Sequence, residues 1–246
     1  MSPADPALSV IIPAFNEEGY LPRYLPTVLA SAAHWEHRGG GPTEVIVVDN
    51  ASTDATAKIA DELGARVVFE PIRNIAQVRN TGAARARGRL LFFVDADTAL
   101  PPEAISAAAE VMEHGDHVGG AVPPLYRCRR FGARALCRYW DWYRARHGGA
   151  QGVAQFCTAA AFVQAGRYRT DLYMSEDVEF FARLRALGEH TGRPAVLLNE
   201  LRVEPSTRRY DQWSTWRMLW WQNPVTARMK LSSRRFWRHW YDSTVR

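Results

Sequence analysis

The stretch Phe92-Phe93-Val94-Asp95-Ala96-Asp97-Thr98-Ala99-Leu100-Pro101, FFVDADTALP, joins an apolar run directly to two carboxylates. A continuous apolar run is typical of a strand buried on both faces of a sheet. Side chains at i and i+2 of an extended segment point the same way, which sets Asp95 and Asp97 about 7 Å apart. Such a pair suits a hard cation that carries a diphosphate, but aspartate is also common where a turn leads into a helix. This stretch alone leaves both interpretations open.

Further apolar runs precede this strand at residues 8–14, 44–48 and 65–70, and each is followed by helical spacing. Four β-α pairs over residues 8–113 predict an α/β fold, with a mostly parallel central sheet and helices on both faces. The strand ends at Pro13, Asp49 and Asp95 should then share one edge of the sheet, where ligands bind in such folds.

After about residue 115 this rhythm breaks, and we expect a second half, 116–246, packed on the first half, 1–115. It contains strand candidates at 117–123, 151–163 and 195–198, and a helix from Ser175 to Leu187. In the first half, Pro26 is expected to kink or split the first helix, and 35–42 to form a loop. Ser52 or Thr53 is expected to cap the second helix.

The apolar runs, the N-terminal sequence and the cysteine spacing argue against a membrane-spanning protein, a protein with a signal peptide and a cysteine metal site. The 246 residues carry a net charge of +5. The apolar runs fall short of the roughly 20 residues that span a bilayer, and the N-terminus lacks the pattern of a signal peptide. Cys128, Cys137 and Cys157 lack metal-ligand spacing, so we expect reduced, inert packing residues of a cytoplasmic protein.

The C-terminal tail needs a separate explanation. Residues 202–246 contain ten Lys or Arg against three Asp or Glu, and six of the nine tryptophans. Three interpretations stay open: an interfacial membrane helix, an aromatic acceptor site or lid, and a packing or homodimer surface. The tryptophans of the tail are Trp213, Trp216, Trp220, Trp221, Trp237 and Trp240.

Other candidate residues each have a structural alternative. Asp49 follows a buried strand and suits either a turn or a bond to a base or ribose. Glu176 and Asp177 open a helix, where acids complement the dipole, but a carboxylate there can also act as a general base. Arg79 near the ligand edge, and the pair Arg208-Arg209, can bind phosphate or remain simply solvated.

Five motifs taken together resemble the inverting nucleotide-sugar glycosyltransferases of family 2, which have the GT-A fold. The resemblance is strong over about residues 8–113, weaker to 190 and thin beyond. The motifs are VIIPAFNEE from Val10, VVDNASTD from Val47, RNTG from Arg79, LFFVDAD from Leu91 and SEDVEFF from Ser175.

The resemblance implies transfer of one sugar, with inversion, from a nucleoside-diphosphate sugar to an unidentified hydroxyl acceptor. UDP is expected ahead of GDP or dTDP. Asp95 would touch ribose or metal-bound water, Asp97 would coordinate Mg2+ or Mn2+, and Asp177, supported by Glu176, would be the base. Residues 1–115 would bind the donor, and 116–246 the acceptor. The implied nucleoside pocket comprises Pro13, Ala14, Phe15, Glu17, Asp49 and Arg79, with Arg208 and Arg209 as a hypothetical diphosphate clamp.

The chain also departs from the family pattern. Asn50 replaces the common second aspartate, Ala51 the common glycine, and Phe15 the usual tyrosine. The QxxRW element of processive members is absent, so we predict single transfer rather than polymer synthesis.

Several alternatives to this function remain. One is a polyprenyl-phosphate or other lipid acceptor, with peripheral contact at the inner face of the membrane through the tail. Another is a non-catalytic nucleotide-binding module. The first strand is not followed by a Gly-rich loop, which argues against a pyrophosphorylase or a dinucleotide dehydrogenase. No nucleic-acid partner is expected.

Overall fold

The computed structural model describes residues 5–147, 153–212, 214 and 233, with side chains omitted at 143–145 and 147. Over residues 8–113, strands and helices alternate as the sequence predicts. The elements are β1 (Leu8–Ala14), α1 (Leu21–His37), β2 (Thr43–Asp49), α2 (Thr56–Glu62), β3 (Arg66–Phe69), α3 (Ile75–Arg85), β4 (Leu90–Val94), β5 (Thr98–Ala99) and α4 (Ala104–Glu113).

The second half adds shorter elements to the same sheet. They are β6 (Gly119–Ala121), α5 (Phe131–His147), β7 (Ala154–Thr158), α6 (Ala159–Gln164), α7 (Glu176–Thr191), β8 (Val196–Leu197), β9 (Glu204–Pro205) and α8 (Arg208–Gln212). The seven-stranded sheet has the order β3-β2-β1-β4-β7-β6-β8, and β5 pairs with β9 in a separate ribbon. β7 runs antiparallel to both its neighbours, whereas the other pairs in the large sheet are parallel.

Side chains of the central strands alternate between two cores, because successive residues of a strand point to opposite faces. In β4, Phe92 and Val94 pack with residues of α1 and α4. Leu91 and Phe93 pack on the other face with residues of α3, α6 and α7. The prediction of helices on both faces of a mostly parallel sheet is therefore confirmed.

The boundaries of three elements differ from expectation. Pro26 lies inside a single helix α1, which runs on to His37 because Trp35 is buried on its apolar face. α2 begins at Thr56 without a side-chain cap, since Ser52 and Thr53 bond elsewhere. The strand expected over 151–163 ends at Thr158, whose hydroxyl accepts a hydrogen bond from Ala161 N at 3.0 Å and caps α6.

The three cysteines are free and buried, as predicted, and the Sγ atoms of Cys128 and Cys137 lie 3.1 Å apart. Within the described ranges, no helix has the length and apolar character needed to cross a membrane. The six tail tryptophans lie outside the described residues, so the interpretations of the tail stay predictions.

Candidate active site

A cavity of about 200 Å³ opens at the carboxyl edge of the parallel strands, where the sequence predicts a ligand site. Ala14 at the end of β1 is in register with Asp49 at the end of β2, and β4 ends beside them. The cavity brings together eleven of the twelve predicted site residues. These are Pro13, Ala14, Phe15, Glu17, Arg79, Asp95, Asp97, Glu176, Asp177, Arg208 and Arg209.

Asp49 is the predicted residue that does not line the cavity; its neighbour Asn50 does. The Asp49 carboxylate is buried and accepts a hydrogen bond from Ser52 N at 3.3 Å. The Asn50 amide donates to the carbonyl oxygens of Glu70 and Ile72 at 2.7 and 2.8 Å. Asn50 therefore fixes the loop before α3, and an aspartate at this position could not make the same bonds.

The loops that follow β1 and β2 are joined by hydrogen bonds from backbone to side chain. Asn16 N donates to Ser52 Oγ at 3.0 Å, and Glu17 N donates to Thr56 Oγ1 at 2.7 Å. Asn16 and Ala51 have φ of 52° and 56°, a left-handed conformation that costs a residue with a Cβ about 1–2 kcal/mol. This strain explains why glycine suits the position of Ala51.

Arg79 of α3 holds two predicted acids together. Its side chain is 2% exposed and donates to Asp95 Oδ1 at 2.8 Å and to Glu176 Oε1 at 2.5 Å. α3 lies close to the sheet because a Cβ on Gly82 would fall 2.4 Å from Ile11 Cγ2. The resemblance assigned Arg79 to the nucleotide. Its guanidinium group is instead hydrogen-bonded to two carboxylates of the site itself.

Acidic groups exceed basic ones at the cavity, where five carboxylates face four arginines among the described lining residues. Burial raises the pKa of Asp95 to about 6, against the attraction of Arg79. Burial, with repulsion from the Asp177 carboxylate, raises the pKa of Glu176 to about 7. Burial therefore disfavours the charged form of both acids, and the attraction of Arg79 opposes that effect.

Asp177 lies in the first turn of α7, beside the buried Glu176. Ser175 before it has φ of 60°, a strained conformation of the kind that clusters at functional sites. Asp177 Oδ1 accepts a hydrogen bond from Val178 N at 2.8 Å, and Gln155 of β7 donates to the Asp177 carbonyl oxygen at 3.1 Å. These contacts fix the backbone of Asp177 at the cavity wall.

Arg208 of α8 ties the C-terminal part of the described chain to the site. Its guanidinium donates to both carboxylate oxygens of Glu17, at 2.8 and 2.6 Å, and lies 3.0 Å from Asp97 Oδ2. It also lies 4.0 Å from the centre of the Tyr20 ring. Burial raises the pKa of Glu17 despite this partner. Glu17, assigned to the nucleoside pocket, and Arg208, assigned to the diphosphate, therefore contact each other.

Sequence reasoning missed another part of the wall. The Arg73 guanidinium lies 3.1 Å from the centre of the Phe15 ring, so a planar cation stacks on the predicted base-binding side chain. Tyr173, Met174 and Ser175 also line the cavity. In the sequence, only their position directly before the Glu176-Asp177 pair could have indicated that these three residues line the cavity. No local pattern could have indicated Arg73, because the placement of its loop depends on hydrogen bonds from the distant Asn50.

The residues present fit a divalent cation. Asp95 and Asp97 offer carboxylate oxygens, the ligands that Mg2+ and Mn2+ prefer, and one oxygen of each is engaged by an arginine. No group of three or more His, Cys, Asp or Glu side chains within the described chain could hold a metal. A cation here would therefore depend on oxygens of its ligand and on water to complete its coordination.

Comparisons with known proteins bear on the fold and the family of the chain. An undecaprenyl-phosphate 4-deoxy-4-formamido-L-arabinose transferase of Pseudomonas fluorescens is 32% identical over 123 residues, which cover 47% of this chain and 35% of that protein. TarS 1–349 of S. aureus, solved with UDP-GlcNAc, superposes with a TM-score of 0.60 at 19% identity, over 80% of this chain and 57% of TarS 1–349.

The mannosyltransferase PcManGT of Pyrobaculum calidifontis, solved with GDP-Man and Mn2+, gives a TM-score of 0.63 at 19% identity, over 84% of this chain and 60% of that one. The chain thus spans between about a third and three fifths of the length of these proteins. These solved structures share its fold, which is the GT-A fold. The model of glycosyl transferase family 2 matches residues 9–165, and the chain belongs to that family.

Proposed function

We propose that this protein transfers one sugar from a nucleoside-diphosphate sugar to an acceptor hydroxyl, with inversion and without processive synthesis. The observation that carries the proposal is the convergence of Asp95, Asp97 and Asp177 on one cavity at the carboxyl edge of the sheet. Binding a nucleotide alone does not require the second acidic pair, Glu176 and Asp177, which Arg79 joins to the first.

The donor is placed with its nucleoside along β1 and its diphosphate near Asp97. Phe15 and Arg73 provide flat surfaces for a base, and Asn50 lies beside them on the wall. UDP is the first choice, with GDP and dTDP as alternatives, since proteins of the same fold were solved with UDP-GlcNAc and GDP-Man. Asp49, which is buried behind Asn50, holds this wall in place and does not itself contact the base.

In the reaction, the acceptor oxygen forms a bond to the anomeric carbon as the bond from that carbon to the diphosphate oxygen breaks. Asp177 takes the proton of the attacking hydroxyl, and the diphosphate leaves with the electron pair. Attack from the side opposite the leaving group inverts the configuration of the anomeric carbon. Arg79 positions Asp95 and Glu176, and Glu176 supports Asp177 from the buried side.

Asp97, with Asp95 beside it, would hold Mg2+ or Mn2+, which supplies charge stabilisation for the departing diphosphate. Arg208 and Arg209 complete the positive side of this region. Arg208 is bound to Glu17 and Asp97, so it acts on the diphosphate only after leaving Asp97. Burial lowers the pKa of Arg209, which lies near the charge of Asp97.

The acceptor half, 116–246, supplies Glu176, Asp177, Arg208 and Arg209 to the cavity. A second candidate is a polyprenyl-phosphate acceptor, because the similar Pseudomonas fluorescens protein is named as an undecaprenyl-phosphate transferase. The free cysteines fit a reducing compartment, so we place the reaction in the cytoplasm, at the inner face of the membrane for a lipid acceptor.

A thermal-shift screen of UDP, GDP and dTDP, each with and without Mn2+, tests the donor and the metal together. One nucleotide should raise the melting temperature, and more so with Mn2+. Asp97→Asn should remove the additional effect of Mn2+ while leaving the smaller effect of nucleotide alone. If the nucleotide raised the melting temperature of the wild type equally with and without Mn2+, the metal assignment would be overturned. If none of the nucleotides raised it, the donor assignment would be overturned.

A further inference from the structure

The outward face of α5 carries three aromatic side chains that are exposed to solvent, although large aromatic side chains are usually buried. Phe131 is 79% exposed, Trp142 57% and Tyr139 48%, in a helix whose opposite face is buried through Ala133, Leu136 and Cys137. At 100° per residue, the exposed residues on this side fall within an arc of about 100°. They are Phe131, Ala135, Arg138, Tyr139, Trp142 and Arg146.

The same region is strongly basic. Six arginines and one aspartate are exposed among the described side chains of residues 127–146. The arginines are Arg127, Arg129, Arg130, Arg134, Arg138 and Arg146. Aromatic rings flanked by cations suit the boundary between headgroups and acyl chains, where the rings enter the interface and the cations meet anionic headgroups.

We propose that this α5 face docks on an anionic lipid bilayer. Charge argues against two other occupants. A twofold contact with a second copy would set the arginines of one face against those of the other. The tail of this chain, residues 213–246, carries seven Lys or Arg against one Asp, so it would also be repelled.

The docking face is joined to the element that carries two arginines of the active site. Arg129 N, just before α5, donates to Asp211 of α8 at 2.9 Å. The rings of Tyr126 and Tyr210 lie 5.1 Å apart between the same two segments. α8 begins with Arg208 and Arg209, which line the cavity. A bilayer under α5 would therefore lie near the part of the cavity that these two arginines line. The docking itself does not depend on the proposed function, because it requires neither donor nor turnover.

Co-sedimentation of the full chain with vesicles of phosphatidylcholine, with and without phosphatidylglycerol, tests the proposal. The protein should sediment with the anionic vesicles only, and added salt should release it. Arg138→Gln should weaken partitioning about fivefold, as expected for one basic residue near the surface. Arg89→Gln, an exposed arginine on another part of the molecule, is the matched control and should change nothing.

The aromatic side chains are tested in the same way. Phe131→Ser combined with Trp142→Ser should reduce partitioning by an order of magnitude or more. Phe69→Ser is the control, because Phe69 is 62% exposed on the edge strand β3. A polarity-sensitive fluorophore on Ala135→Cys should shift to the blue with anionic vesicles, whereas the same label on Ala84→Cys in α3 should not.

Three results would overturn the proposal. One is the absence of sedimentation with anionic vesicles. Another is sedimentation that no α5 variant changes, together with an unchanged emission of the fluorophore at position 135. That result would assign membrane binding to the tail. The third is a single-stranded RNA that displaces the vesicles and depends on Arg138, which would assign the face to nucleic acid.

Discussion

Replacing Asn50 by aspartate restores the residue common in the family, yet it should destabilise this protein. The Asn50 side chain is buried, and its amide donates to the carbonyl oxygens of Glu70 and Ile72. An ionised aspartate donates to neither and brings a negative charge against both oxygens. Ile72 O keeps its bond from Asn74 N, so the Glu70 carbonyl suffers the larger loss.

The expected loss in the free energy of unfolding is about 3 kcal/mol at neutral pH. Two lost hydrogen bonds contribute about 1 kcal/mol each, and a buried carboxylate without a donor adds a similar or larger amount. Urea unfolding of wild type and Asn50→Asp measures it. The deficit should shrink at acid pH, because a protonated aspartate regains one donor.

Asn16→Asp is the matched control, since Asn16 lies in the neighbouring loop and accepts from Thr53 N through Oδ1, which an aspartate retains. Its effect should stay below about 0.5 kcal/mol, the range of ordinary surface changes. If Asn50→Asp cost no more than this control, the amide would not be holding the loop, and our account of the Phe15–Arg73 wall would be wrong.

Other substitutions test separate contacts. Ala51→Gly should raise the free energy of unfolding by about 0.5–1 kcal/mol, because relief of the left-handed conformation exceeds the entropy cost of glycine; a loss on urea unfolding would contradict this. Arg208→Ala should cost about 3 kcal/mol by leaving Glu17 buried without its partner, and adding Glu17→Gln should recover part of it; additive losses would refute the coupling. Glu176 has a folded-state pKa of about 7, above the ordinary value of 4.5, so its contribution is present below pH 4.5 and lost as pH rises to about 7. The stability of wild type relative to Glu176→Gln should therefore fall over that interval, and a constant difference in urea midpoints would count against the raised pKa.

The order of the first eight large elements could be predicted because each strand is a short apolar run followed by helical spacing, the rule for an alternating α/β fold. The place of Asp95 and Asp97 followed from the same rule, since the carboxyl ends of parallel strands share an edge. The predictions were weakest where a partner lies far away in sequence. Ser52 and Thr53 looked like helix caps, but they bond to Asn16, 36 and 37 residues away.

The ion pairs of the site were beyond the reach of sequence patterns. Arg208 contacts Glu17 across 191 residues, and Arg79 contacts Glu176 across 97. Each residue was identified as part of the site, but Arg79, Arg208 and Glu17 were assigned to the donor, and Glu176 to the support of Asp177. The residues next to an arginine do not show whether its side chain will be exposed or buried in an ion pair, so spacing alone could not separate the two roles.

We infer that Asp97 and Asp177 serve different steps of glycosyl transfer. The most direct test measures release of nucleoside diphosphate from a panel of UDP-, GDP- and dTDP-sugars, with and without Mn2+, beside donor binding. We predict Mn2+-dependent release from one class of donor, lost in both Asp97→Asn and Asp177→Asn. Asp177→Asn should still bind the donor, with Mn2+ strengthening that binding, whereas Asp97→Asn should lose the Mn2+ effect. Release by Asp177→Asn at the wild-type rate, or no release from any donor, would contradict the account.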